Sequence, residues 1–273
     1  MTPSADAARY WRSDLLPGAE LVTARYRRQV FSPHWHESYV VPIIEAGAQR
    51  YRYRHATLLA EPGHIAVINP GEMHTAQRAT DDGWAYRAFY PSVDFMERLA
   101  GELAGAPAGT PWLPLRTLDD ATLARQLLQA HRLLESGRDA LAAETALLQA
   151  FALLLTRHAG VRPEAATPPA DRARVAAMQE RMAADLCEPV TLRTLAKAVG
   201  LSPFHAARLF ARHVGMPPHA WRNQLRLNRA AQMLRRQVPV AETAAACGYA
   251  DQSHLTRHFK RAHGVAPGSW QRA

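Results

Sequence analysis

The sequence predicts two domains: a small β-barrel (a jelly roll) with trailing helices, then an all-α domain containing two helix-turn-helix units. Three observations predict this. The chain has 273 residues, long for one domain and comfortable for two. Short runs rich in Val, Ile and Tyr fill the region up to Pro91, and apolar residues at helical spacing take over beyond it. Residues 171–273 hold 16 Lys and Arg against 6 Asp and Glu, whereas the first 170 residues hold 17 against 18. The whole positive excess therefore belongs to the last third, which points to a polyanionic partner.

Composition removes several classes. With 48% hydrophobic and 21% charged residues the chain is an ordinary globular one. Its two cysteines, Cys187 and Cys247, have no metal-like spacing and argue for a reducing compartment. The start is polar and acidic, unlike a secretion signal. The most apolar window, Ala140 to Leu155, is interrupted by Glu144 and Gln149. A cytoplasmic protein with no membrane partner is expected.

The strand-like runs are Leu21–Val30, Tyr39–Ile44, Gln49–Arg54, Ile65–Ile68 and Trp84–Tyr90, punctuated by Pro33, Gly47, Pro62-Gly63 and Pro70-Gly71. Strands this short and close suit a small barrel. Asp119–Leu134 and Asp139–His158 then read as helices that cover the barrel or pair with a second subunit. Residues 160–170, with three prolines and no apolar rhythm, read as a linker. The expected division is a barrel domain over 1–160, a linker over 161–170 and a helical domain over 171–273.

The helical domain repeats itself. Leu192, Ala196 and Gly200 recur at an offset of 48 as Val240, Ala244 and Gly248. Arg208, Phe210, Arg212, Gly215, Pro218 and Trp221 recur at 49 as Arg257, Phe259, Arg261, Gly264, Pro267 and Trp270. Each copy, at about 191–212 and 240–262, has the ingredients of a helix-turn-helix. Thr191 caps a first helix, Gly200 ends it in the left-handed conformation, and Ser202 with Pro203 starts the second. Asp251 is the corresponding cap in the second copy. In the first copy Phe204, His205, Arg208 and Arg212 are expected to face out, over a core of Ala206, Leu209 and Phe210. In the second, Ser253, His254, Arg257 and Arg261 face out, with Gln252 in the first turn.

These residue types suit a DNA major groove. Arg can donate two hydrogen bonds to guanine, Gln can pair with adenine, and apolar groups meet the thymine methyl. Arg212, Lys260 and Arg261 lie one turn further on, where phosphates are the natural target. The alternative is a solvated basic face on a packing module, which two tandem copies within the charge excess disfavour. Pro217–Arg236 reads as one helix with Trp221, Leu225, Ala231 and Leu234 inward. Its length of about 30 Å approaches one turn of B-DNA, about 34 Å.

The stretch Cys247-Gly248-Tyr249-Ala250-Asp251-Gln252-Ser253-His254-Leu255-Thr256-Arg257-His258-Phe259-Lys260, followed by Gly264, Pro267 and Trp270, resembles the arabinose-regulator (AraC/XylS) family of transcription factors. The resemblance covers residues 171–273. It implies base-reading positions at Phe204, His205, Ala207 and Arg208, and at Gln252, Ser253 and Arg257; Ser202 joins them as a candidate DNA contact. Ala207 replaces a polar reader common in the family, and Thr243 stands where an isoleucine is usual.

The N-terminal half resembles the cupin-like effector-binding domain that precedes this module in many relatives. It has His34-Trp35-His36 before Gly47, and Asn69-Pro70-Gly71-Glu72-Met73-His74 after Gly63. In metal-binding cupins paired histidines, a Glu and a later His hold a cation. Here Val40 and Val41 occupy the Glu positions, and Arg78 stands where an Asn would follow. Three readings of His34, His36 and His74 stand open: ligands for a divalent ion such as zinc, hydrogen-bond partners of a polar effector, or structural histidines. Tyr51 and Tyr53 alternate with Arg50 and Arg52 and are candidate pocket residues beside the histidines, with core packing as the alternative.

The function expected is a non-enzymatic regulator that binds double-stranded DNA and a small-molecule effector. RNA polymerase and a second copy of the chain are further candidate partners, and no cofactor is required. The alternative is a cupin metalloenzyme fused to a DNA-binding domain, which the missing Glu weakens. A self-alkylating repair regulator needs a reactive thiolate, whereas both cysteines read as helical interior.

Overall fold

In the computed structural model the described residues are 6–17, 19–53, 56–114, 117–161, 171–263 and 266–272. Most of the expected linker lies outside them. By contact density they form two compact units. The first comprises residues up to Ser136 together with Ala146–Ala166, and the second comprises Gly137–Thr145 together with Thr167–Ala273.

The first unit carries the strands β1 (Ala7–Trp11), β2 (Glu20–Tyr26), β3 (Val30–His34), β4 (Val41–Gly47), β5 (Gln49–Tyr53), β6 (Ala56–Ala60), β7 (Ile65–Ala66), β8 (His74–Arg78), β9 (Trp84–Tyr90) and β10 (Thr117–Leu118). They form two antiparallel sheets, ordered β1-β2-β9-β4-β7-β10 and β3-β8-β5-β6. Side-chain alternation decides which residues reach the interior. In β5, Gln49, Tyr51 and Tyr53 are buried while Arg50 and Arg52 are exposed. Tyr51 and Tyr53 join Val22, Ile44, Ile68, Trp84 and Tyr86 in one core.

The run Leu21–Val30 is two strands rather than one. Asp6 caps the break, its carboxylate accepting from the backbone N–H groups of Arg27 and Arg28. The short or polar strands β1, β6, β8 and β10 had no counterpart among the expected runs.

The helices of this half are α1 (Val93–Ala104), α2 (Ala121–Ser136) and α3 (Ala140–His158). Helix α1, not anticipated, starts at Ser92, whose hydroxyl accepts from Phe95 N, and ends at left-handed Gly105. Helix α2 is tied to the sheet by Arg87 of β9. That guanidinium donates to Glu45 at 3.3 Å and to Glu135 at 2.5 Å. Its neighbour His131 is fully buried and held down to about 3, chiefly by burial, so the ring is neutral. Helix α3 contributes residues to both compact units.

The second unit adds α4 (Asp171–Ala184), α5 (Leu192–Ala198), α6 (Pro203–Val214), α7 (Pro218–Arg235), α8 (Val240–Ala246), α9 (Gln252–His263) and α10 (Pro267–Arg272). The sequence repeat is also a structural one. Helices α5 and α8 have 7 residues each, and α6 and α9 have 12 each. Phe210 meets Trp221 edge-on at 5.8 Å, and their counterparts Phe259 and Trp270 meet the same way at 5.6 Å. Within this unit Glu144 is 4% exposed, and its carboxylate accepts from Leu192 N at 2.5 Å and Arg193 N at 3.2 Å, capping α5 alongside Thr191.

Helix α7 has 18 residues, slightly fewer than expected, and is about 27 Å long. Its buried side differs from the expected one. Leu234 is inside, with Leu227, Ala230 and Arg222, whereas Trp221, Leu225 and Ala231 are only half-buried. The Arg222 guanidinium donates to the carbonyls of Asp185 at 3.0 Å and of Glu188, in the loop after α4. Arg226 donates twice to the Leu186 carbonyl, at 3.0 and 2.7 Å.

Gly200 and Gly248 both end the first helix of their unit with positive φ, +66° and +71°. Their surroundings differ. A Cβ at Gly200 would meet nothing within 4 Å, whereas one at Gly248 would stand 2.3 Å from the Leu186 carbonyl oxygen. Gly200→Ala should therefore cost only the left-handed penalty, about 1–2 kcal/mol. Gly248→Ala adds a clash with backbone and should cost more than about 3 kcal/mol. Urea unfolding followed by circular dichroism measures both; equal losses would show that the second turn is not pressed against the Leu186 loop.

Candidate functional site

In the second unit each outer helix opens on a side-chain cap. Ser202 Oγ accepts from His205 N at 3.3 Å, and Asp251 Oδ1 accepts from His254 N at 2.6 Å. The caps fix where each helix begins and so which residues share its outer face.

On α9, Gln252, Ser253, Arg257 and Lys260 are exposed and, with Thr256, line one open groove. Among the described residues no carboxylate lines this groove. The face combines amide, hydroxyl and guanidinium donors with an ammonium, the set that reads base edges and grips phosphates. His254 departs from the expected outward position. It is half-buried, its ring edge-on to Tyr249 at 5.4 Å and to His258 at 4.8 Å. Burial, then the Arg257 charge, lowers its pKa, so it supports the helix as a neutral ring. The Arg261 side chain lies outside the described residues.

On α6 the outer face is narrower than expected. Phe204 and Ala207 are each only 6% exposed. The reason is helical spacing: positions 204, 207 and 210 form one stripe, and Phe210 anchors it in the core. The reading of Phe204 as outward and of Ala207 as a base contact is corrected accordingly. Half-buried His205 and Arg208 and exposed Arg212 form the neighbouring stripe. Arg212 also stands 3.5 Å from the carboxylate of Asp171 on α4.

The first unit encloses a cavity of about 240 Å³. Its wall includes His34, His36, His74, Gln49, Tyr51, Trp84, Tyr86 and Tyr90, with aliphatic Val40, Ala66 and Ile68. His34 ends β3 directly opposite His74 of β8, and His36 lies just past the strand. Tyr51 donates to, or accepts from, Thr117 Oγ1 at 2.7 Å. Tyr53, expected beside it, is buried core instead: its hydroxyl accepts from Asn69 Nδ2 at 3.3 Å and it does not line the cavity. Two buried polar atoms of wall residues, Gln49 Oε1 and Trp84 Nε1, have no hydrogen-bond partner among the described residues. A buried acceptor and a buried donor left this way suit a ligand with polar groups. Burial pushes the Tyr86 and Tyr90 hydroxyls up, so both are neutral.

The sequence reading missed Gln49, Trp84, Tyr86 and Tyr90. Strand alternation in β5, which places Gln49 on the Tyr51 side, was the signal for the first of them.

Residues 16–151 match the AraC-like ligand binding domain, and residues 195–273 match a helix-turn-helix domain. The chain is 27% identical over 228 residues to the uncharacterized HTH-type transcriptional regulator YbfI of Bacillus subtilis, covering 83% of this chain and 82% of that protein. It is 24% identical over 264 residues to the HTH-type transcriptional activator RhaS of Escherichia fergusonii, covering 93% of each. A solved AraC-type transcriptional regulator from Chromobacterium violaceum is 25% identical, covering 38% of this chain and 93% of its own, with a TM-score of 0.36.

The two cysteines differ from the expected helical interior. Cys187 sits exposed in the loop after α4, and buried Cys247 ends α8. Burial pushes the Cys247 thiol up to about 11, so thiolate is scarce there at neutral pH. A thiol reagent such as dithionitrobenzoate should titrate Cys187 alone in the folded chain and Cys247 only after denaturation. Rapid reaction of Cys247 in the folded protein would show that this core opens.

Proposed function

The chain belongs to the AraC/XylS family of DNA-binding transcription regulators with an N-terminal ligand-binding domain, and from that premise we propose how its two sites work. Helices α6 and α9 read two adjacent stretches of one DNA site. A small molecule in the barrel cavity sets the activity, and the protein is not an enzyme. It works in the cytoplasm, where RNA polymerase and a second copy of the chain are its further partners.

One observation carries this reading: the duplicated helix-turn-helix, in which both outer helices present a basic face on the same scaffold. Its α9 groove supplies base readers in the first turns and a cation one turn later. On α6, His205 and Arg208 take the reading positions and Arg212 the phosphate position. Ser202 and Asp251 orient the helices by capping them, and Arg261 is assigned to the phosphates with Lys260.

For the effector, support comes from the match to the ligand-binding domain and from the unpartnered Gln49 and Trp84 atoms beside the histidines. Helix α3, shared between the compact units, is the element through which a ligand would bias the DNA-binding half, with Glu144 capping α5 at its far end.

Arg257→Ala should cost about 1–3 kcal/mol on the cognate site and relax the preference at one base pair. Lys260→Ala should weaken cognate and random DNA alike and flatten the salt dependence, because a phosphate contact releases counterions whatever the sequence. Fluorescence-anisotropy titrations of the full chain on both DNAs at several salt concentrations distinguish the two. Equal losses on both DNAs for Arg257→Ala would move it to the phosphate contacts and refute the assigned face.

A further inference from the structure

The wall of the barrel cavity carries no carboxylate, ammonium or guanidinium: among the described residues no Asp, Glu, Lys or Arg lines its 240 Å³. Six aromatic residues, Tyr10, Phe31, Tyr51, Trp84, Tyr86 and Tyr90, make up much of it. Burial pushes the Tyr86 and Tyr90 hydroxyls up, so neither supplies a negative charge. An ionised ligand here would give up its water and meet no counter-charge, a cost that an uncharged ligand avoids.

Polar groups are distributed unevenly around this wall. The Tyr51 hydroxyl is paired with Thr117 Oγ1 at 2.7 Å, and the Tyr86 hydroxyl with that of Tyr26. Val40, Pro42, Ala66, Ile68 and Ala76 add apolar surface. Against these stands one polar cluster, in which a ring nitrogen from each of His34, His36 and His74 lies within 4.8 Å of the other two.

Backbone carbonyls orient two of the three rings. His34 Nδ1 donates to the Ser32 carbonyl at 2.7 Å, and His74 Nδ1 donates to the Glu72 carbonyl at 3.1 Å. A carbonyl oxygen only accepts, so in a neutral ring the proton sits on Nδ1 and Nε2 is left as an acceptor. Burial holds His74 down to about 4, so its ring is neutral at neutral pH. His74 Nε2 therefore calls for a hydrogen-bond donor, which a hydroxyl supplies and a carboxylate does not.

We propose that the cavity selects an uncharged phenol, its single ring packed among the tyrosines and Trp84 and its hydroxyl donating to His74 Nε2. Volume sets the size. A cavity of about 150 Å³ holds benzene, so the 240 Å³ here takes one ring with small substituents. The one-sided polarity sets the class. A sugar carries hydroxyls on every side and would bury several, unpartnered, against Val40, Ala66 and Ile68. A benzoate brings a charge that the wall does not match, whereas a phenol keeps its proton at neutral pH. The proposal deepens, and rests on, the reading of this cavity as the effector site.

The test is isothermal titration calorimetry on the full chain at neutral pH, in buffer holding EDTA, with 4-methylphenol, toluene, 4-methylbenzoate and glucose as probes. One 4-methylphenol per chain should bind, and toluene, which lacks the donor, roughly tenfold more weakly. The benzoate and glucose should bind more weakly still. His74→Ala should lower the affinity for 4-methylphenol roughly tenfold and leave that for toluene unchanged, which also reports an intact cavity. Where circular dichroism shows that His74→Ala does not fold, His74→Phe keeps a planar ring without the acceptor and makes the same test. Absence of 4-methylphenol binding overturns the proposal, as does an affinity unchanged in the folded variant. Benzoate binding as tightly as the phenol overturns the uncharged class, and glucose binding as tightly overturns the one-sided wall. DNA affinity of the ligand-free chain is measured alongside; its loss counts against the regulator reading only, because the calorimetry does not involve DNA.

Discussion

The grip of two arginines on one loop holds the DNA-binding half together. Arg222 and Arg226 of α7 donate to the carbonyls of residues 185–188, and the turn at Gly248 presses against the same Leu186 carbonyl. Arg222 is 5% exposed, and its Nη2 meets these loop carbonyls, which would be costly to leave unpaired, while its buried Nε has no partner among the described residues. The loop leads into the first helix-turn-helix, α7 leads out of it, and Gly248 belongs to the second. The two copies are thereby fixed through one junction, not merely strung along a helix, and the spacing of α6 and α9 becomes a property of the fold.

The barrel obeys a different constraint. Its alternating strands fill the interior with tyrosines and a tryptophan, and this apolar wall is what makes the few polar atoms in it consequential. In water three neighbouring imidazoles would be unremarkable. Within that wall burial lowers the pKa of His36 and of His74.

What was legible in the sequence was local or periodic. The offsets of 48 and 49 became matching helices, and the caps at Thr191, Ser202 and Asp251 lie where their side chains required. The two-domain class followed from punctuation and spacing, and the grouping of the three histidines from the family resemblance. What was not legible depends on tertiary neighbours. Nothing local marks Arg222 as buried among the other arginines of α7, and its role appears only when the 185–188 loop folds over it. Phe204 was expected to face out and Ala207 to read a base by family resemblance, yet the stripe they share with Phe210 draws both inside. Tyr51 and Tyr53 are indistinguishable by alternation, and only Asn69 separates the core tyrosine from the cavity one. Strand β8, HTAQR, is too polar to register as a strand, because its partners β3 and β5 supply its hydrogen bonds and not its own propensity.

The central claim is that the two readers are held at a fixed separation and read adjacent grooves together. It is tested most directly by changing the DNA and leaving the protein alone. The full chain is titrated against its native site and against the same site with half a helical turn, about 5 bp, inserted between the two recognition boxes. A rigid pair of readers spaced by α7, about 27 Å long, loses one box to the opposite face of the duplex, so the insertion should bind near the non-specific level. Binding as tight as on the native site would contradict the account, because the two units would then be reading DNA independently.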